Sequence, residues 1–476
     1  MKIKNFGKNV TFTPRYFYTP KNEDEVLELL NKHVHSKIRV IASGHAWSNA
    51  IVSKDVLIDM RYINQVEIIK SDTGSVSVTA GAGCVLQRLL DIIHKSTNTT
   101  LPTLGAVKKQ TIAGAISTGT HGSGKPSLSH YMDEIRIAAY DPETLQAKIY
   151  HYKGGDELRA ARCSIGCMGV ILSVKFKCVL KYYVAENFVK YKTLKEVIDR
   201  EEEFPLQQFG FIPYLWNYYV FQRKIAKSRP SGQSALRTIS YRLSKFLGTD
   251  IFFHLIVVAM TRWSSSSSIK KFYKNTFPSL AREKQNIIDD SEHAITMAHH
   301  LFRHVEIEIF SPAINMQRSM DIIKYVVSSF ASESIPENIV NDIEPRLRDV
   351  GMLEIIKKHK GYYTHHYPIF CRRILPDDTL ISMTSNANEP YYSISFFTYF
   401  KPHKRQRFYK FVEILARVLT KTCDARQHWG KYFPLAYDEI KHLYPNMNKF
   451  HQICQKVDPN GVFRNDYTSQ VLGLKN

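Results

Sequence analysis

A run of small residues between positions 101 and 124 constrains this chain more than any other part of its sequence. The run, LPTLGAVKKQTIAGAISTGTHGSG, is rich in glycine, threonine and serine and has few charges. Small residues let backbone N–H groups approach a ligand, so the run predicts a segment that wraps around a bound molecule. Gly119 to Gly124 also matches part of a glycine-rich nucleotide fingerprint, which belongs directly after the first strand of a dinucleotide-binding fold. Here more than 100 residues precede it, which disfavours a nicotinamide site of that type.

A second segment, residues 41–48, places a histidine in a glycine turn. Its sequence, IASGHAWS, begins as a buried strand and continues into Gly44 and His45. Backbone donors in such a turn can hold a pyrophosphate without a lysine. Taken alone, however, His45 is better explained as a turn histidine at the surface.

Two further segments are ambiguous when each is taken alone. Residues 160–171, AARCSIGCMGVI, fit a helix that ends at a glycine and leads into a buried strand. Residues 424–431, DARQHWGK, place two cations, an imidazole and an indole close together, and a solvated loop could do the same. No single segment therefore indicates a function, and the order of all four along the chain has to be considered.

Hydrophobic periodicity divides the chain near residue 180, and the first part alternates short strands with helices. Strands are predicted at 37–42, 55–60 and 75–80. A helix is predicted at 23–34, with Asn22 as its N-cap. This alternation predicts a compact domain that contains both sheets and helices.

The second part of the chain has longer and more aromatic elements. A strand-rich stretch is predicted at 209–222, a strand at 304–309 and a helix at 405–419. An irregular or helical insertion occupies 230–268, and its serine run at 264–268 predicts a loop.

Charge and cysteine content exclude several classes of protein. The 65 Lys and Arg residues outnumber the 44 Asp and Glu residues, which gives a formal net charge of +21. Such an excess favours nucleic acid, an anionic membrane surface or an acidic ligand as partner. The basic residues are spread along the whole chain, without a basic arm or a zinc-finger spacing, so no nucleic-acid partner is expected. The seven cysteines contain no C-x-x-C pair, so neither a disulfide framework nor a metal site is predicted.

The N-terminus, MKIKNFGKNV, has no apolar core of a signal peptide. The most apolar run, residues 251–260, is about half as long as the roughly 20 residues of a membrane-spanning helix. We therefore expect an intracellular protein that is soluble or peripherally membrane-associated, with basic residues on both sides of this run. The sequence does not indicate an oligomeric state.

In order and spacing, the four segments resemble those of one flavoprotein family. GHAWS resembles the pyrophosphate loop of the vanillyl-alcohol-oxidase (PCMH-type) flavoproteins, and LGAVKKQTIAGAISTGTHGSG resembles the flavin-ring segment of aldonolactone and alditol oxidases. AARCSIGCMGVI is similar to the adenine-side motif of these proteins, and ARQHWGK to the C-terminal motif of the lactone oxidases. The closing DPNGVFRNDY resembles the tail of the same subgroup. The chain is thus most similar to the gulonolactone/arabinonolactone oxidase family.

This resemblance implies an α+β fold with FAD as the cofactor. A two-subdomain FAD-binding domain would occupy residues 1–180, and a cap domain with a large antiparallel sheet flanked by helices would occupy 181–450. Residues 451–476 would return to the FAD domain. FAD would be bonded covalently through His45. The resemblance assigns cofactor binding to Ala42, Ser43, Gly44, His45, Ala46, Trp47, Gly105, Thr111, Gly114, Ala115, Ser117, Thr118, Gly119, His121, Gly122, Gly169, Val170 and Ile171.

The reaction implied by the resemblance is oxidation of a CH–OH group in a sugar-1,4-lactone or polyol. A hydride would pass to flavin N5, and the electrons would then pass to oxygen or another acceptor. The residues assigned to catalysis are Arg372, Lys431, Glu308 and His428. In the resembled oxidases the lysine lies near the flavin and the arginine holds the substrate oxygens.

One position departs from the family pattern. Where the family has Glu-x-Arg, this chain has PIFCRR, so Phe370 replaces the active-site glutamate. A phenyl ring cannot accept a hydroxyl proton or bind sugar oxygens. Either Glu306 or Glu308, on the polar face of strand 304–309, supplies the carboxylate, or the substrate is less polar. The remaining alternative is a weakly active flavin-binding or interaction protein.

Overall fold

The computed structural model describes residues 1–229, 233–281, 284–297 and 302–474. Its N-terminal part contains a parallel three-stranded sheet, in the order Tyr16–Tyr18, Val56–Asp59, Ile38–Ile41. It also contains an antiparallel five-stranded sheet, in the order Ala147–Tyr152, Met132–Tyr140, Val170–Lys177, Val76–Gly81, Val66–Lys70. The three strands predicted at 37–42, 55–60 and 75–80 are confirmed, with their ends shifted by one residue.

Helices pack on these sheets. The first, Glu23–Lys32, begins where predicted, because the Asn22 side chain accepts the Glu25 N–H at 2.9 Å. The other helices of this part are Leu86–Ser96, Ile112–Ser117 and Gly155–Arg162, with 3₁₀ turns at Asn49–Ile51 and Leu128–Tyr131. Two short strand pairs complete it: Ile3–Lys4 with Thr11–Phe12, and Thr99–Thr100 with Val179–Leu180.

The second part is built on one antiparallel sheet of eight strands. Their order is Lys284–Asp290, Tyr183–Tyr191, Tyr218–Ala226, Gln208–Phe211, Ile369–Ile374, Tyr391–Thr398, Val305–Pro312, Arg426–Gln427. The aromatic stretch at 209–222 supplies two of these strands, and the strand predicted at 304–309 is Val305–Pro312. The predicted α+β fold with a large antiparallel sheet is confirmed.

Helices cover this sheet, and one of them, Gln406–Cys423, confirms the helix predicted at 405–419. Its buried face includes Phe408, Phe411 and Leu415. The other helices of the sheet layer are Leu194–Ile198, Ser291–Ile295, Met316–Phe330, Glu337–Asp349 and Leu353–Lys358. 3₁₀ turns lie at Ala313–Asn315, Pro402–Lys404 and Lys441–Leu443.

The insertion at 230–268 is helical, apart from residues 230–232, which lie outside the described residues. Ala235–Ser244, the π-helical Lys245–Phe252 and Phe253–Trp263 form one helix of 29 residues, which we call the insertion helix. By length and composition alone this helix could cross a membrane. The apolar run is extended on both sides by residues that also form helix.

The loop predicted for the serine run at 264–268 was also wrong for most of that run. Only Ser264 and Ser265 lie between helices, and Ser266–Lys271 is helical. Serine is a favoured N-cap residue, and here the Ser265 Oγ accepts the Ser268 N–H at 3.2 Å. The π-helical turn Phe272–Thr276 and the helix Phe277–Leu280 follow.

The C-terminal helices Tyr437–Ile440, Met447–Val457 and Asp466–Leu472 lead back to the N-terminal sheets. The Ile38 N–H donates to Val462 O at 2.8 Å. Arg39, buried inside the predicted strand 37–42, donates to Ala50 O and Ile165 O, both at 2.6 Å, and to Phe463 O. One side chain thus joins three distant segments.

The domain boundaries at 180 and 450 stay a prediction.

Candidate active site

The IASGHAWS segment forms one wall of a long cleft. Strand Ile38–Ile41 leads into a turn in which Gly44 has a φ of +64°, a conformation that glycine adopts at little cost. The Phe6 N–H donates to Gly44 O at 2.9 Å, and the Asn5 side chain donates to Ala46 O at 2.8 Å. The ring of His45 stacks on Phe6 with 5.1 Å between the centroids. The N-terminal hairpin therefore supports this loop, which the sequence did not indicate.

The four sequence segments meet around this cleft. The Thr111 N–H donates to Ser43 Oγ at 3.2 Å, and the Trp47 N–H donates to Gly430 O at 2.8 Å. The predicted cofactor residues that line the cleft are Ala42, Ser43, Gly44, His45, Ala46, Trp47, Thr111, Gly114, Ser117, Thr118, Gly169 and Ile171.

Six other predicted cofactor residues lie elsewhere. Gly105 and His121 line the cavity next to the cleft. Ala115 and Val170 are buried, and neither lines the cleft or the neighbouring cavity. Gly119 and Gly122 lie in close packing: an added Cβ would stand 2.8 Å from Met383 Cε at the first and 2.5 Å from Leu104 O at the second.

The chemistry of the cleft fits a dinucleotide such as FAD. Small residues and backbone form most of its wall, which lets N–H groups reach a phosphate. Among the described residues that line it there is no carboxylate to repel a pyrophosphate. Lys431 lies at one end, where a cation stabilises negative charge on a bound ring.

A second cavity adjoins the cleft. Trp47, Gln110, His428 and Lys431 line both. The Lys431 ammonium lies 4.5 Å from the centroid of the Trp47 ring. All four residues predicted for catalysis, Arg372, Lys431, Glu308 and His428, line this second cavity.

Two buried glutamates of strand Val305–Pro312 face the cavity with different proton affinities. Glu306 contacts the Lys431 ammonium, and Glu308 lies 3.9 Å from the same nitrogen. Burial, assisted by the nearby Glu308, raises the pKa of Glu306 although Lys431 opposes this. Burial would also raise the pKa of Glu308, but His121, at 3.2 Å, and Lys431 outweigh it and hold this pKa well below its usual range. Neighbouring carboxylates with diverging pKa values are a frequent feature of acid–base sites.

Two histidines complete the polar wall. Burial lowers the pKa of His428 to about 3, so its ring is neutral near pH 7. Its Nδ1 accepts the Gly430 N–H at 3.0 Å, which leaves Nε2 as the protonated nitrogen. Ligand atoms of His121, Glu308 and His428 lie within 4.8 Å of one another. This spacing could hold a metal ion, so the expectation of no metal site stays a prediction.

The opposite wall contains Arg372 and Phe370, from strand Ile369–Ile374. Arg372 donates to the Gln208 side-chain oxygen at 3.2 Å, and burial lowers its pKa. Phe370 is partly buried and faces Gly210 on the neighbouring strand, where an added Cβ would lie 3.4 Å from the ring. The sheet therefore leaves room for the phenyl ring.

Behind Phe370 lies a third cavity. Phe221, Lys245, Tyr367 and Phe370 line both this cavity and the polar one. The other large side chains around it are aromatic or aliphatic: Phe188, Ile212, Tyr219, Tyr241, Phe252, Phe253, Ile256, Phe277 and Leu280. An apolar chamber thus adjoins the polar wall.

The wall of the second cavity also contains a hydrogen-bonded group that the sequence did not indicate. His254 Nε2 lies 2.9 Å from the Tyr399 hydroxyl and 3.1 Å from the Tyr367 hydroxyl. The three residues are far apart in the chain, and the single hint was a histidine inside the apolar run 251–260.

Known proteins match the chain over nearly its whole length. A D-arabinono-1,4-lactone oxidase family model matches residues 174–471, and a FAD binding domain model matches residues 14–142. A long-chain alcohol oxidase from an uncultured marine euryarchaeote is 39% identical, with coverage of 98% of this chain and 96% of that protein. The L-gulonolactone oxidase of Mus musculus is 25% identical, with coverage of 99% and 98%.

Solved structures share the fold. Cholesterol oxidase from B. sterolicum superposes with a TM-score of 0.69 and 14% identity, covering 99% of this chain and 96% of that one. At this identity the likeness concerns the fold alone. The resemblance drawn from the sequence motifs is thus confirmed.

Proposed function

Because the chain belongs to the D-arabinono-1,4-lactone oxidase family of FAD-dependent oxidoreductases acting on CH–OH donors, we propose that its own substrate is an alcohol with a long apolar chain. The hydroxyl end lies in the polar cavity and the hydrocarbon chain in the apolar chamber behind Phe370. The electrons pass on to oxygen or another acceptor.

The observation that carries this proposal is the position of Phe370. Its ring lines both the cavity with two glutamates and an arginine and a chamber whose large side chains, apart from Lys245, are aromatic or aliphatic. A hydrocarbon chain gains about 0.8 kcal/mol for each CH₂ that leaves water, whereas sugar hydroxyls would lose hydrogen bonds there. The relative that is 39% identical bears the name long-chain alcohol oxidase, which supports the same substrate class.

The polar wall supplies the proton chemistry. FAD held in the cleft would supply the acceptor for the hydride that leaves the substrate carbon. Glu306, with its raised pKa, accepts the hydroxyl proton, and Lys431 holds that carboxylate in place. Arg372 and the Nε2–H of His428 bind the substrate oxygen, and Glu308 orients His121.

A homologous series of primary alcohols tests the substrate class. In anaerobic mixing we expect 1-butanol, 1-hexanol, 1-octanol and 1-decanol to bleach the flavin with second-order rate constants that rise about fourfold per CH₂, since each buried CH₂ contributes about 0.8 kcal/mol. Stopped-flow absorbance measures these constants.

A sugar lactone is the second candidate, because Glu306, Glu308 and Arg372 give the cavity a polar wall. If D-arabinono-1,4-lactone bleaches the flavin faster than every alcohol, the apolar assignment is wrong. If neither class bleaches it, a weakly active flavin-binding or interaction protein is favoured.

We further propose that His45 bonds FAD covalently, within a cofactor site formed by the residues that line the cleft. His45 lines the cleft and is held by Phe6. Cys84 is a poor alternative nucleophile, because burial raises its pKa to about 11 and keeps the thiol protonated.

Acid precipitation distinguishes covalent from released flavin. We expect nearly all yellow colour in the pellet of the native protein and of Cys84→Ser, and nearly all in the supernatant of His45→Ala. Absorbance of the two fractions at the flavin maximum measures the distribution. Flavin retained in the His45→Ala pellet would place the bond on another residue.

A further inference from the structure

We propose that the insertion helix, Ala235–Trp263, is a docking surface for an anionic phospholipid bilayer and lies flat in its interface. The outer face of this helix is apolar. Large apolar side chains along this helix are more than half exposed: Leu236, Ile239, Leu243, Leu247, Phe252, Leu255 and Trp263. Soluble monomers rarely expose a continuous apolar patch of this kind unless it binds something.

The inner face of the helix combines ion pairs with buried apolar side chains, among them Val257 and Met260. Tyr241 donates to the Glu186 carboxylate, and Arg242 donates to Asp289 Oδ2 at 2.7 Å. His254 is buried on the same side. A helix on the surface of a soluble protein points its polar side to water, whereas this helix has large apolar side chains on both its inner and its outer face. The inner contacts also fix the helix to the sheet, so it can lie along a bilayer but not cross it.

Charge beside the helix identifies the partner. A cleft at its C-terminal end is lined by Arg262, Arg303, Lys401 and Lys404, and among the described residues that line it there is no carboxylate. Such a cluster attracts phosphate and serine headgroups at the negative surface of a bilayer. Trp263, 78% exposed, lies between these cations and the apolar face, the place that tryptophan favours at a membrane interface.

The apolar chamber lies directly beneath this face. Gly248, Phe252, Phe253 and Ile256 of the insertion helix line it. A chain-bearing alcohol dissolved in a bilayer would therefore meet the chamber without crossing water. This access path rests on the proposed function, whereas docking does not.

Vesicle sedimentation of the full-length holoprotein, without substrate, tests docking. We expect the native protein to sediment with phosphatidylcholine vesicles that contain about 30% phosphatidylserine, and less with pure phosphatidylcholine. Leu236→Gln/Leu243→Gln/Leu247→Gln should lower the partition coefficient about tenfold or more, since glutamine preserves helix propensity but not apolar contact. Lys401→Glu/Lys404→Glu should abolish the preference for phosphatidylserine.

The matched control is Leu180→Gln/Ile225→Gln/Ile314→Gln, which removes three apolar side chains that are 72%, 53% and 82% exposed elsewhere. It should bind vesicles as the native protein does. Docking is refuted if the native protein stays in the supernatant, or if both triple variants bind as well as it does. It is also refuted if light scattering shows that the native protein is a dimer and the helix triple variant a monomer. A second copy of the chain would then cover the apolar face. Flavin bleaching by 1-octanol in vesicle-free buffer, compared with 1-butanol, tests the proposed function separately.

Discussion

Replacement of Glu306 by Gln is expected to lower kcat for alcohol oxidation by about 10²- to 10⁴-fold, the usual contribution of a general base. The amide has the shape of the carboxylate and can still accept a hydrogen bond from Lys431, but it cannot take the hydroxyl proton. KM should change little. Steady-state kinetics on the best alcohol, with flavin content as the check on folding, measure the effect.

The pH profile identifies the residue behind this loss. A base whose pKa is raised loses activity as the pH falls through that raised value, so the acidic limb of kcat should lie above the ordinary range of glutamate. The limb should vanish in Glu306→Gln. Glu308→Gln is the matched control: its carboxylate has a lowered pKa and is a weaker base, so the limb should persist. A limb that persists in Glu306→Gln and vanishes in Glu308→Gln would assign the base to Glu308.

Local sequence patterns predicted the elements that supply these two carboxylates. Alternation in His304 to Ile309 put Glu306 and Glu308 on one face of a strand, and that face lines the polar cavity. Asn22 and the glycine turn at Gly44 were likewise predictable, because caps and tight turns depend on neighbouring residues.

Contacts between distant segments could not be predicted in this way. Arg39 bonds to Phe463 across 424 positions of the chain, and no local period marks such a pair. The stacking of Phe6 on His45 depends on how an N-terminal hairpin folds back. The apolar chamber depends on the insertion helix, which has apolar side chains on both faces, so a helical period does not show which face turns inward.

Phe370→Glu is expected to lower kcat/KM for 1-decanol by about 10²- to 10³-fold, which corresponds to about 3–4 kcal/mol of transition-state stabilisation. The substitution removes an aromatic wall from the path of the alkyl chain and puts a carboxylate beside it, where the charge loses solvation. For 1-butanol, whose chain is too short to fill the chamber, the loss should be much smaller. The ratio of the two kcat/KM values measures the effect independently of enzyme concentration.

Phe370→Leu is the control that separates polarity from shape. Leucine keeps an apolar wall, so the preference for 1-decanol over 1-butanol should persist, reduced by the smaller contact area. If Phe370→Glu leaves that preference unchanged, the chain does not pass this side chain and the chamber behind it is not the chain-binding site. If Leu and Glu reduce it equally, the ring acts through its shape, and the absence of the family's glutamate would not explain the choice of an apolar substrate.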